Sequence, residues 1–209
     1  MGLILFSGER GLGKSSALSE LAQSLGPKAG GVICPGSYAE GRKSAVYWRD
    51  LGRVLHEAPE LLAREITPFA GAPGQPRIDL SDERLVRYGK WEFLRAALAG
   101  ADEACLRALA EPAAALAIVD ELGPLELSYG QGYVKTLKRI DELYGGGPAA
   151  LQGHGAGGKP LRKALIVALR PELVPLLAER WPGSVHVELT KDNRAGAAAA
   201  LAARISSWL

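Results

Sequence analysis

The stretch Gly8-Glu9-Arg10-Gly11-Leu12-Gly13-Lys14-Ser15 fits the pattern GxxxxGK(S/T), and it stands directly between an apolar run, Leu3-Ile4-Leu5-Phe6, and a helical pattern. That order is strand, glycine loop, helix, the arrangement that a phosphate-cradling loop requires. Each residue type has a chemical reason. Glycines let successive backbone N–H groups turn inward toward phosphate oxygens, Lys14 reaches the outer phosphates, and the Ser15 hydroxyl supplies a ligand to Mg²⁺. The helix beginning near Gly13 adds the partial positive charge of its N-terminus. The expected nucleotide-contacting stretch is therefore Gly8, Glu9, Arg10, Gly11, Leu12, Gly13, Lys14, Ser15 and Ser16.

A second signal lies far along the chain. Leu116-Ala117-Ile118-Val119-Asp120-Glu121 is an apolar strand-like run that ends on two adjacent acids, the form of a Walker B element. An aspartate at the end of such a strand holds the metal of a bound nucleotide, which makes Asp120 the partner of Ser15. Neighbouring strand side chains point to opposite faces, but the backbone turns at a strand's exit, so Glu121 is free to enter the cleft and polarise a water. Glu121 and Lys14 are the expected catalytic pair.

Composition bounds the remaining possibilities. With 209 residues the chain is read as a single P-loop NTPase domain over 1–209 with a sizeable core. Its 25 basic and 23 acidic residues are spread along the chain for a net charge of +2, with no polybasic stripe of the kind that marks nucleic-acid or membrane binding. Leu3 to Phe6 is too short for a signal-peptide core, and no apolar run approaches membrane-spanning length, so the expected location is cytoplasmic. The two cysteines, Cys34 and Cys105, and the three histidines, His56, His154 and His186, are scattered, which points to no disulfide framework or zinc site. The metal is expected to arrive with the nucleotide, as Mg²⁺ bound to ATP, GTP or another triphosphate.

The coarse pattern alternates. Ala17 to Leu25 carries apolar residues at helical spacing and stops at Gly26-Pro27. From about 30 to 93 short strand-like pieces dominate, Gly31 to Cys34, Ala45 to Trp48, Arg53 to Leu55, Ala63 to Ile66 and Arg77 to Leu80, separated by turn signals at Glu40-Gly41 and Gly71-Ala72-Pro73-Gly74. They are read as an antiparallel insertion. A helix from about Glu92 to Leu109 follows, then the acid-ended strand and a helix from Tyr133 to Tyr144. A glycine-rich loop over 145–158 comes next. Lys163 to Leu169 reads as a strand, Pro171 to Arg180 as a helix, Val185 to Leu189 as a strand and Ala195 to Leu209 as a terminal helix. Strand alternating with helix predicts an α/β fold, a mainly parallel sheet with helices on both faces and all strand-exit loops on one rim.

Several stretches, in one order over nearly the whole chain, resemble the thermophilic-type nucleoside-triphosphatases, a family that includes the cancer-related nucleoside-triphosphatase. They are the glycine loop, Gly30-Gly31, Glu40-Gly41-Arg42-Lys43, Leu62-Ala63-Arg64, Tyr88-Gly89-Lys90-Trp91, Val119-Asp120-Glu121-Leu122-Gly123-Pro124-Leu125-Glu126-Leu127, and Thr190-Lys191-Asp192-Asn193-Arg194. The resemblance implies a RecA-like P-loop core and slow Mg²⁺-dependent hydrolysis of several nucleoside triphosphates to diphosphates with modest base selectivity. It also places Asn193 and Arg194 near the nucleotide, while a second reading makes Asn193 a helix cap. The chain departs from the family where Cys34-Pro35-Gly36-Ser37-Tyr38 replaces a threonine, an acid and an arginine after the second strand, leaving Arg42 and Lys43 as the basic pair.

Bond cleavage builds negative charge that Lys14 alone does not offset. The further cationic candidates are Arg42, Lys43, Lys159, Arg162, Arg170 and Arg194, with Arg170 placed on the active rim by the strand before it. Thr190-Lys191-Asp192-Asn193 lacks the carboxylate of the (N/T)-K-x-D guanine reader. Trp48, Tyr88, Trp91, Trp181 and Trp208 read mainly as packing anchors, with base stacking as the other role for one of them and a partner-seating role for Trp208 at the terminus. Besides hydrolysis, two other functions fit the residues: a nucleotide or small-molecule kinase using the same phosphate site, and a nucleotide-dependent accessory protein with slow hydrolysis.

Overall fold

Leu3, Ile4, Leu5 and Phe6 are all buried to within a percent of completely, which a strand achieves only where both faces of its sheet are covered. In the computed structural model, which describes residues 2–53, 58–66, 77–145 and 163–208, they lie in strand β1 (Gly2–Gly8). Their side chains alternate between two cores. Leu3 and Leu5 join one formed with helices α2 (Arg95–Ala110) and α4 (Val134–Tyr144). Ile4 and Phe6 join the other, formed with α1 (Lys14–Leu25) and α6 (Ala197–Ser206). A period of two along the strand thus produces three layers, helix, sheet and helix.

The central strands are β2 (Ala29–Ile33), β9 (Leu116–Val119), β10 (Ala164–Ala168) and β11 (Val185–Leu189). All pair in parallel with β1 or one another, in the order β11-β1-β10-β9-β2. Registers such as Gly8 with Leu189, Phe6 with Ala168 and Val32 with Val119 bring the exits of these strands to one rim.

Two buried charged residues satisfy helix ends that the sequence leaves uncapped. Asp102 of α2 accepts the N–H groups of Lys135 at 3.1 Å and Thr136 at 2.9 Å, serving the first turn of α4 from a neighbouring helix. Lys163, 1% exposed, donates its Nζ to the carbonyls of Ala108, Leu109 and Glu111 and so closes the end of α2. Burial lowers its pKa.

Beyond β2 the sheet turns antiparallel. It continues through β4 (Arg42–Asp50), β5 (Glu60–Glu65), β8 (Trp91–Leu94), β7 (Leu85–Tyr88) and β6 (Ile78–Asp79), with β3 (Gly36–Ala39) hairpinned onto β4. Val46, Leu62, Ala63 and Val86 bury themselves beneath this layer. On the outer face Arg64 donates to Glu92 at 2.6 Å and Arg87 to the same carboxylate at 2.9 Å, which bridges three neighbouring strands.

Three sequence expectations are corrected. Gly31 to Cys34 was expected among the antiparallel pieces; β2 does pair antiparallel with β4 on one side, but on the other it pairs in parallel with β9, and it belongs to the core, since its residues are buried on both faces. The helix expected from Glu92 begins at Arg95, because Trp91 to Leu94 form a hairpin with Leu85 to Tyr88 around Gly89, whose φ is +59°. A six-residue helix, α3 (Pro124–Tyr129), stands where no helix was expected. The expected strand at Arg53 to Leu55 and the glycine-rich loop lie outside the described residues, apart from Arg53 in a bend and Gly145 at the end of α4. Trp208 packs its ring against the backbone of Gly2. Among the described residues no helix is long and apolar enough to cross a membrane.

Candidate functional site

The site is built where β1 ends. Gly13 precedes α1 at φ +99°, a left-handed conformation that sharply turns the loop into the helix. Lys14, the first residue of that helix, folds back across its own loop, with Nζ donating to the carbonyl of Gly8 and, at 3.2 Å, to that of Glu9. Burial lowers its pKa, while the nearby carboxylates of Asp120 and Glu121 pull the other way. Glu9, Arg10, Gly11 and Ser16 are exposed, whereas Leu12, Gly13, Lys14 and Ser15 are partly buried.

Asp120 follows β9 and is fully buried. Its Oδ2 accepts the backbone N–H of Cys34 at 2.9 Å, and its Oδ1 has no hydrogen-bond partner among the described residues. Burial, reinforced by the charge of Glu121, pushes its pKa up to about 6. Ser15 donates its hydroxyl to the Cys34 carbonyl at 3.3 Å, so the main chain of one residue at the exit of β2, through its N–H and its carbonyl, links the loop serine to the aspartate. The Cys34 thiol is buried against the Tyr133 hydroxyl at 3.3 Å and the Asp120 carbonyl at 3.6 Å, and burial raises its pKa. Sequence reading marked Cys34 only as a departure. Its contribution to this contact is main-chain, which leaves no side-chain signature.

Glu121 leaves the strand at φ +68°, one of two described non-glycine residues with positive φ. Such a backbone costs free energy and persists only where its surroundings enforce it. Here the next N–H, of Leu122, donates to Ala168 at 3.0 Å, and that of Gly123 donates to Glu126 Oε2 at 2.9 Å. Glu126 is 6% exposed, and burial pushes its pKa up to about 8 despite the Gly123 hydrogen bond. The turn directs Glu121 to an ion pair with Lys43, on the hairpin of β3 and β4. Lys14, Ser15, Asp120 and Glu121 are thereby brought together as the sequence predicts, although β10 intervenes between their strands.

The other predicted residues fall around this centre. Arg170, just beyond β10, pairs with Glu172 at 3.7 Å and lines a shallow pocket with Glu9, Arg10, Pro171 and Glu172. Arg42 is exposed at the hairpin turn, and it is the adjacent Lys43 that meets Glu121. Asn193 and Arg194 lie in the loop that leaves β11 beside Gly8. The Asn193 side chain does not cap the following helical turn; its Oδ1 accepts from Thr190 N at 2.8 Å and its Nδ2 donates to the Glu188 carbonyl at 2.8 Å, pinning the loop to its own strand. Arg194 is exposed, and Lys159 and Arg162 lie outside the described residues. Tyr88 meets Tyr129 with ring centroids 5.4 Å apart.

Counted in chain order, the parallel strands run five-one-four-three-two, with a glycine loop after the first and an acid pair after the third. This is the RecA-like P-loop NTPase fold, α/β with an antiparallel insertion. Two solved structures share it over nearly their full length. THEP1 from the hyperthermophile Aquifex aeolicus is 18% identical, with 97% of this chain and 98% of that one covered and a TM-score of 0.61. A human cancer-related nucleoside triphosphatase is 16% identical, with 99% and 98% covered and a TM-score of 0.62. No family model matches the chain, and no curated protein matches it.

Proposed function

We propose that the protein is a Mg²⁺-dependent nucleoside-triphosphatase that hydrolyses triphosphates to diphosphate and phosphate with modest base selectivity. The observation that carries this reading is the buried Asp120, set beside Ser15 and Glu121 at the mouth of a phosphate loop, whose Oδ1 has no hydrogen-bond partner among the described residues. A buried carboxylate oxygen without a partner is costly unless something absent from the protein alone satisfies it. Among the described residues no cluster of three or more His, Cys, Asp or Glu side chains is positioned to hold a metal by itself. Ser15 and Asp120 fit a Mg²⁺ ion whose other ligands come from phosphate oxygens and water. When bound, that ion neutralises charge on the phosphate oxygens.

The chain's own groups do the rest. Backbone N–H groups of residues 8–16 and the N-terminus of α1 hold the phosphates, and Lys14 moves from the Gly8 and Glu9 carbonyls onto the outer ones. Glu121 takes a proton from water, the water oxygen bonds to the γ-phosphorus, and the bond from that phosphorus to the bridging oxygen breaks to release diphosphate. The hydrogen bonds to Leu122 and Gly123 hold that carboxylate's turn in place. The human fold neighbour is named as a nucleoside triphosphatase, which agrees with this reading.

The test is phosphate release from ATP, GTP, CTP and UTP with Mg²⁺ or with chelator, and with no acceptor added. Release from several triphosphates that stops with chelator and in Lys14→Ala is expected. Tight binding of the same nucleotides without release would favour the kinase or accessory reading.

A further inference from the structure

We infer that Lys43 distinguishes a triphosphate from a diphosphate, and that the arrival of a γ-phosphate draws it away from Glu121. This inference rests on the hydrolase reading and adds to it a specificity-determining residue from the inserted sheet.

The hairpin of β3 and β4 has its turn at Glu40 and Gly41, both at positive φ, and sends Lys43 back across β3. The lysine stem passes directly over Gly36. A Cβ there would lie 2.5 Å from the lysine Cε and 3.2 Å from Cδ and Cγ, so bare backbone gives the side chain its path. The ammonium arrives at Glu121 Oε1. Both side chains keep solvent access, at 26% and 40% exposure, so the pair is open to competition.

Lys14, a second cation at the centre, rests on carbonyl oxygens of its own loop. Any nucleotide with a β-phosphate offers Lys14 a better acceptor. Lys43 instead sits on the carboxylate that faces the attacking water, which is the γ-phosphate side of the site. A partly exposed ion pair with one carboxylate is weakly held, whereas a terminal phosphate presents more negative charge and several acceptors to a mobile ammonium. Transfer of Lys43 to the γ-phosphate relieves Glu121 of its counter-charge when a hydrolysable substrate is present, and a diphosphate leaves the pair intact.

Calorimetric titration with Mg²⁺ and either a non-hydrolysable triphosphate or the matching diphosphate tests this in wild type, Lys43→Met, Lys43→Arg and Gly36→Ala. Loss of one charge-assisted contact should weaken triphosphate binding to Lys43→Met about tenfold to a hundredfold. Diphosphate binding should change less than about twofold, within the range of no lost contact. Lys43→Arg should recover part of the preference, and Gly36→Ala, which keeps the charge but blocks its path, should lose part of it. Equal weakening of both ligands, or of neither, would overturn the inference while leaving the hydrolase reading in place. Failure of wild type to bind either ligand would overturn both.

Discussion

The parallel core and the antiparallel layer beside it belong to one continuous sheet, but different forces hold them. In the core, Ile4, Phe6, Ile118 and Ile166 are completely buried on one face and Leu5, Val119, Leu165 and Val167 on the other. In the added layer one face is wet, and the strands are tied across it by Arg64, Glu92, Arg87 and Asp79. The core therefore resists change through packing, while the added layer relies partly on ion pairs whose arginines reach water around the buried Glu92 carboxylate. The functional division follows the same line. Main-chain groups at the exit of β2 hold Ser15 and Asp120, and the hairpin of β3 and β4 supplies Lys43.

The sharpest way to break this comparison is to remove matched side chains. Ile118→Ala should cost about 3–5 kcal/mol in urea unfolding, because both transfer and cavity terms apply to a fully buried side chain. A cost below that of an exposed substitution would contradict the picture of a packing-dominated core.

Next in size is the pH response of Glu126. Its folded pKa, about 8, lies above the unfolded value, so the folded state keeps a proton that the unfolded chain loses. The sign follows: stability falls as pH rises from about 4.5 to about 8, at up to about 1.4 kcal/mol per pH unit. Glu126→Gln keeps an acceptor for Gly123 without the ionisation, and should exceed wild type in stability by up to about 4 kcal/mol at pH 8 while matching it near pH 4. Parallel pH curves for the two proteins would contradict burial as the cause.

Glu121→Gly should stabilise the fold by about 1 kcal/mol by relieving the positive φ, yet abolish turnover, a separation of stability from activity readable in one thermal melt and one assay. A less stable variant would mean the backbone is not strained there. Smallest of all, Arg64→Ala should change stability by less than about 1 kcal/mol, since that side chain is 64% exposed and Arg87 remains on Glu92. A larger loss would show that the added layer depends on its outer face more than its exposure suggests.

Legibility in the sequence followed the same division. Leu3 to Phe6, Leu116 to Val119 and Lys163 to Leu169 read as strands because apolar runs of this length have few other uses. The eight-residue glycine loop and the acid pair located the centre, because their chemistry needs particular residue types at fixed spacing. Trp91 to Leu94 was harder. Its four residues precede a helix whose period starts within them, and the turn at Gly89 decides the matter through cross-strand pairing that no local pattern records. The main chain of Cys34 that joins Ser15 to Asp120 was illegible in principle, as any non-proline residue supplies the same N–H and carbonyl. Lys43 was legible as a basic residue, but its selection over Arg42 depends on the hairpin's register and on the space above Gly36.

The most direct test of the central claim separates binding from chemistry at Glu121. Wild type and Glu121→Gln would be compared for Mg²⁺-triphosphate affinity by titration and for phosphate release under single turnover. Loss of a positioned base predicts affinity within a few-fold of wild type and hydrolysis slower by about two to four orders of magnitude. Equal rates in the two proteins would contradict the assignment of Glu121 as the base and, with it, the account of the site.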